Sequence, residues 1–92
     1  VGEQFTATCI TDGSTLTFDG AQERTVSVFS LSEESYGVTI EGMHYPLQNA
    51  TLKSHIPLGV SNAIEAERAC VSVKKGCLLV MWEGTFIPHR TK

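Results

Sequence analysis

Short runs of alternating polar and apolar residues, each closed by a turn dipeptide, recur along the whole chain and leave little room for any helix. Gln4 to Thr11 is rich in Thr, Phe and Ile and ends at Asp12-Gly13, a strong hairpin-turn pair. Ser14 to Phe18 alternates Leu16 and Phe18 with Ser and Thr before Asp19-Gly20. Thr25 to Leu31 sets Val26 and Val28 on one face against Thr25, Ser27 and Phe29 on the other. Tyr36 to Glu41 places Tyr36, Val38 and Ile40 on one face, and Ala69, Val71 and Val73 repeat the spacing before Lys74-Lys75-Gly76. Cys77 to Trp82 is apolar at both parities, which predicts cover on both faces, from the domain or from a partner. Thr85-Phe86-Ile87 forms a last apolar group, ended by Pro88. Only Ser61 to Arg68 has helical spacing, enough for one short turn at most. Strands this short and this regularly punctuated predict an all-β fold, an antiparallel β-sandwich of two packed sheets.

Ninety-two residues suit one domain, residues 1–92, with neither a repeat nor a linker to divide it. A chain of this size buries about 60–65% of its unfolded surface, so the core is thin. The chain opens Val1-Gly2-Glu3 without an initiator Met and enters a strand pattern at once, as expected of a domain cut from a longer protein. No apolar run approaches the ~20 residues of a membrane span. Net charge is −3 with scattered basic residues, against the basic face that nucleic-acid binding requires. Three cysteines, Cys9, Cys70 and Cys77, make no paired motif, and Cys9 and Cys70 sit where a strand would bury them as small hydrophobes. A reducing, cytoplasmic setting follows.

Few residues carry chemistry. Gly59-Val60-Ser61-Asn62 offers a backbone without a Cβ at Gly59, then a hydroxyl and a carboxamide side by side. Such a pair can meet the ring nitrogens and amino group of an aminopyrimidine, and it can equally end a strand and cap a turn. Tyr45, in Met43-His44-Tyr45-Pro46-Leu47, can stack on a heterocycle or a cationic ring; the plainer reading has it packing the core with its hydroxyl wet. Trp82, the single Trp, reads as core or interface packing. His44, His55 and His89 have no metal-ligand spacing to Cys, Asp or Glu, and no metal site is expected. A cysteine–histidine nucleophile is disfavoured by the apolar strand contexts of the thiols. Phosphate-cradling glycine motifs are absent from the sequence.

The segment GVTIEGMHYPLQNATL over residues 37–52, followed by LGVSN over 58–62, resembles the signature of the C-terminal thiamin-binding domain of bacterial thiamin pyrophosphokinases. Gly37, Thr39, Glu41, Gly42, Tyr45, Pro46, Asn49 and Leu52 fit its first block, and Leu58, Gly59, Ser61 and Asn62 its second. His55 and Pro57 depart from the family's loop, where Gly and Ser are commoner. The resemblance implies a β-sandwich that dimerises and binds thiamin. It further implies a parent enzyme whose N-terminal α/β domain holds ATP and Mg²⁺ and whose reaction yields thiamin diphosphate and AMP. Carried onto this chain, the thiamin contacts fall on Ser61, Asn62 and Gly59, with Leu58, Leu52 and Tyr45 lining the ring. No catalytic residue, metal or nucleotide is expected within these 92 residues, and they are expected to be inactive alone. The other readings are a free-standing binding module and a purely structural dimerisation domain.

Overall fold

The computed structural model describes residues 4–54, 62–84 and 86–91. Among them are nine β-strands: β1 (Phe5–Thr11), β2 (Thr15–Asp19), β3 (Thr25–Ser30), β4 (Glu34–Glu41), β5 (Leu47–Lys53), β6 (Asn62–Ala63), β7 (Arg68–Ser72), β8 (Cys77–Glu83) and β9 (His89–Thr91). They form two antiparallel sheets, a four-stranded β1-β8-β3-β6 and a five-stranded β5-β4-β7-β2-β9. The all-β sandwich is the fold that the alternating runs predict. The described part of the stretch with helical spacing is strand and turn, with Glu65 and Ala66 both donating backbone N–H groups to the Gly42 carbonyl, at 2.9 and 3.0 Å.

Connectivity differs from a string of hairpins. Only β4 and β5 are consecutive strands that pair; every other connection passes from one sheet to the other. Asp12-Gly13 is therefore a crossover corner and not a hairpin turn. Gly13 donates to Val73 O at 2.9 Å, and Asp12 Oδ1 accepts from the Gly76 N–H at 2.6 Å, which ties the corner to the β7–β8 connection. The reason lies in the core: Ile10 on β1 and Leu16 on β2 must both point inward, and they do so from opposite sheets.

The core follows strand parity. Val26 and Val28 on β3, Ala69 and Val71 on β7, and Leu78, Val80 and Trp82 on β8 are all buried. The same parity turns Cys9 outward beside inward Ile10, so Cys9 is exposed and Cys70 half-buried, against the expectation that strands would hide them. Tyr36 is also exposed, because the β4 ladder shifts register between Ser35 and Val38, leaving those two inward and Tyr36 out. Gly37 supplies the positive φ of 65° that this bulge uses.

The two outer faces are unlike each other. On the five-stranded sheet the outward row Thr39, Ser72, Thr15 is followed by Glu41, Cys70, Thr17. On the four-stranded sheet the rows are Ala7, Met81, Ser27 and Cys9, Leu79, Phe29. Leu79 and Met81 are half-buried within the chain, so β8 has its core face covered and its second apolar face open. Phe5 and Leu31, both more than half exposed, flank these rows.

Candidate functional site

The connection from β4 to β5 is built on Gly42. Its φ of 77° is left-handed, and a Cβ there would run into Arg68 O and lie 2.9 Å from Ala69 Cα. Met43, buried, pins the connection to the core and bridges to Ile64. The next two residues then face outward on a backbone held from the other sheet: the His44 N–H donates to Ala63 O at 2.8 Å.

Asn62 does most of the holding. It is completely buried. Its Oδ1 accepts from the Tyr45 N–H at 2.8 Å and from the Ala63 N–H at 3.0 Å, and its Nδ2 donates to Tyr45 O at 2.7 Å. Both polar ends of the carboxamide therefore meet backbone, as a buried amide requires.

Tyr45 itself is 62% exposed. The core-packing reading of its ring does not hold, because Met43 two residues earlier takes the inward place. The His44 ring meets it edge-on, with centroids 4.5 Å apart and planes at 81°. His44 Nδ1 is in turn 2.6 Å from Glu65 Oε2, fixing the imidazole behind the tyrosine. An open groove of about 360 Å³, lined by Ile40, Glu41, Pro46, Leu47 and Gln48, begins one residue beyond Tyr45. Glu41 and Gln48 beside apolar Ile40, Pro46 and Leu47 suit a flat ring that carries positive charge and amino groups.

Of the residues picked from the sequence, Asn62 and Tyr45 are brought together. Leu52 is buried in the core. Leu58, Gly59 and Ser61, with His55 and Pro57, lie outside the described residues. The His44–Glu65 pair escaped the sequence reading: its members are 21 residues apart and share no motif spacing.

The remaining polar surface offers less. An opening of about 650 Å³ at the ends of β2 and β7 is lined by Asp19, Gly20, Glu67 and Arg68, but Arg68 Nε is already 2.9 Å from Asp19 Oδ1. That contact raises the Arg68 pKa. A cleft of about 250 Å³ lies beneath residues 86–90 against Thr6, Thr8 and Trp82. No three His, Cys, Asp or Glu side chains among the described residues converge as a metal site. Burial, with the neighbouring Cys9 thiol, pushes the Cys77 pKa up, the opposite of what activates a nucleophile. His44 and His89 are directed at Glu65 and Asp19.

Comparison with known proteins follows the same segment. The family described as thiamin pyrophosphokinase, vitamin B1 binding domain, matches residues 14–78, which takes in β2 to β7 and the whole Tyr45–Asn62 arrangement. The structure is similar to that of a thiamine pyrophosphokinase from Bacillus subtilis, with a TM-score of 0.77 and 24% identity over 90% of this chain and 39% of that one. It is similar also to a thiamin pyrophosphokinase from Geobacillus thermodenitrificans (TM-score 0.73, 25% identity, 89% of this chain and 38% of that one). A thiamin pyrophosphokinase family protein from Enterococcus faecalis matches with a TM-score of 0.67 and 20% identity, over 90% of this chain and 38% of that one. The chain thus spans about two fifths of the length of these structures. No curated protein matches it.

Proposed function

The chain belongs to the thiamin pyrophosphokinase vitamin B1 binding domain family, and from that membership we propose that it receives thiamin within a larger thiamin pyrophosphokinase. The reaction is transfer of pyrophosphate from ATP. The hydroxyethyl oxygen of thiamin bonds to the β-phosphorus, the bond from that phosphorus to the AMP oxygen breaks, and the hydroxyl proton is lost. Such a transfer depends on positioning and on charge neutralisation. These residues supply the positioning: they hold the vitamin's rings so that its hydroxyl points at the nucleotide.

What carries this reading is the contact, at one rim of the sandwich, between Tyr45 and Asn62, which come from the two separate blocks of the family signature. The exposed Tyr45 ring, with the Glu41 and Gln48 groove beside it, offers a face to an aromatic cation and hydrogen-bond partners to its amino group. Ser61, Gly59 and Leu58 are the further thiamin contacts that the family signature implies, and Asn62 belongs to the same set. Mg²⁺ and ATP are held by residues of the parent outside this domain.

A second copy of the domain covers the outer face of β1, β8 and β3. Support comes from the rows Ala7, Met81 and Cys9, Leu79, Phe29, flanked by exposed Phe5 and Leu31. An apolar sheet face of this kind calls for a partner, and a self-complementary patch gives a two-fold dimer. A cytoplasmic location belongs to the same reading and suits three free thiols. No helix among the described residues is long and apolar enough to cross a membrane.

The test is thiamin-dependent AMP release, measured on the full-length protein and on residues 1–92 alone. The full-length protein is expected to release AMP only with thiamin present, and the 92 residues to release none. A full-length protein indifferent to thiamin would overturn the function. Turnover by the 92 residues alone would overturn the division of labour between domains.

A further inference from the structure

Asn62 carries both a donor and an acceptor on its carboxamide, and it shows no surface to solvent. Its Oδ1 receives the N–H groups of Tyr45 and Ala63, and its Nδ2 reaches Tyr45 O. A side chain that both accepts from and donates to one residue's backbone fixes that peptide unit in position and in rotation. The fixed residue projects the most exposed aromatic ring of this rim. Glu65 and His44 add a second support, through the 2.6 Å Nδ1–Oε2 contact and the edge-on ring pair. Glu65 is itself anchored, by its N–H to Gly42 O at 2.9 Å. Two separate anchors, one buried on the Tyr45 backbone and one exposed at its ring, thus converge on a single residue.

We propose that Asn62 is a positioning residue: it acts on the bound vitamin through Tyr45, by holding the backbone from which that ring projects, and not by contact of its own carboxamide with the ligand. The proposal rests on thiamin being the ligand. His44 and Glu65 are the supporting pair, limiting the ring to one tilt. A freely rotating tyrosine loses conformational freedom on binding a ligand; one already held loses little, so the anchors convert into affinity.

The experiment is a double-mutant cycle on the full-length protein, reading the thiamin dissociation constant by calorimetry for Asn62→Ala, Tyr45→Ala and the double variant. If Asn62 acts through Tyr45, each single change weakens binding by about tenfold, and the double variant binds within about twofold of Tyr45→Ala alone. Losses that multiply would mean that Asn62 touches the ligand itself, and would overturn the proposal. Unchanged single variants, with the unaltered protein still binding, would overturn it too and move the ligand elsewhere on the protein. Failure of the unaltered protein to bind thiamin would instead overturn the function proposed above. Should Asn62→Ala not fold, NMR of the unaltered protein gives the same decision. The Tyr45 amide should be protected from exchange without ligand, and thiamin should shift the Tyr45 ring resonances more than the Asn62 side-chain amide. The reverse order would overturn the proposal.

Discussion

Phe18 and Trp82 meet edge to face across the sandwich, ring centroids 5.4 Å apart and planes at 79°. Phe18 comes from β2 in one sheet and Trp82 from β8 in the other, and both are buried. Trp82 Nε1 donates to Phe86 O at 2.7 Å, and Phe86 stacks on Phe18 at 6.1 Å, so the contact also fastens the segment leading to β9. Replacing Phe18 with Ala removes a large ring from a thin core. The expected cost is about 3–5 kcal/mol, read as a lower midpoint in urea unfolding with Trp82 fluorescence as the probe. A loss below about 1 kcal/mol would show that the sheets are held together elsewhere.

Gly42 is predicted to tolerate no side chain. Gly42→Ala needs a left-handed backbone and places its Cβ against Arg68 O and Ala69 Cα. A destabilisation of about 1–3 kcal/mol is expected. Because Gly42 starts the connection that carries Tyr45, thiamin affinity should fall with it. Thermal unfolding and calorimetry on one sample check both effects.

The apolar outer face predicts a charge-sensitive dimer. Met81→Lys places an ammonium between Ala7 and Ser27 in the row. Sedimentation should show a shift from dimer to monomer, a loss of about 2 kcal/mol or more of association. Thr17→Lys on the polar outer face should leave the association unchanged. Equal behaviour of the two variants would remove the β1-β8-β3 face as the interface.

Cys77 carries a pH prediction. Burial first, then the adjacent Cys9, favour its neutral thiol and raise its pKa. The reacting species is the thiolate, so alkylation at Cys77 should lag behind a cysteine in a short peptide at mild pH. Its rate should go on rising at a pH where the peptide's has levelled off. The stability linkage has the matching sign: folding holds this proton more tightly than the unfolded chain does. That contribution is present below the unfolded thiol's pKa and is lost as pH rises through the folded one. Mass-resolved alkylation across pH 7–10 reads the profile, and a Cys77 curve superimposed on the peptide's would refute the assignment.

Much of the fold was legible from strand parity. Val26, Val28 and Val71 alternate with Thr, Ser and Cys, and the alternation alone says which side of each of these strands is buried. Tyr36 and Cys9 mark its limits. Alternation alone puts Tyr36 on the face of Val38 and Ile40, because nothing local announces the register shift at Gly37, which depends on the β5 partner strand. Cys9 was assigned burial by residue type, whereas Ile10 took the inward place. Double parity in Cys77 to Trp82 did signal an extra apolar face; which neighbours would extend it came only with the pairing of β8 between β1 and β3.

The amino-acid sequence by itself determined the all-β class, the inward residues of most strands and the family signature, because these depend on local alternation, turn chemistry and residue identity. Tertiary structure alone decided that Asp12-Gly13 crosses between sheets, that Tyr45 stands outside the core, that Asn62 clamps its backbone and that His44 meets Glu65. Each of those is a contact or a sheet assignment between segments distant along the chain. The physical reason is that a strand's own residues specify which side is buried, while the identity of the strand beside it is selected by the packing of the whole core.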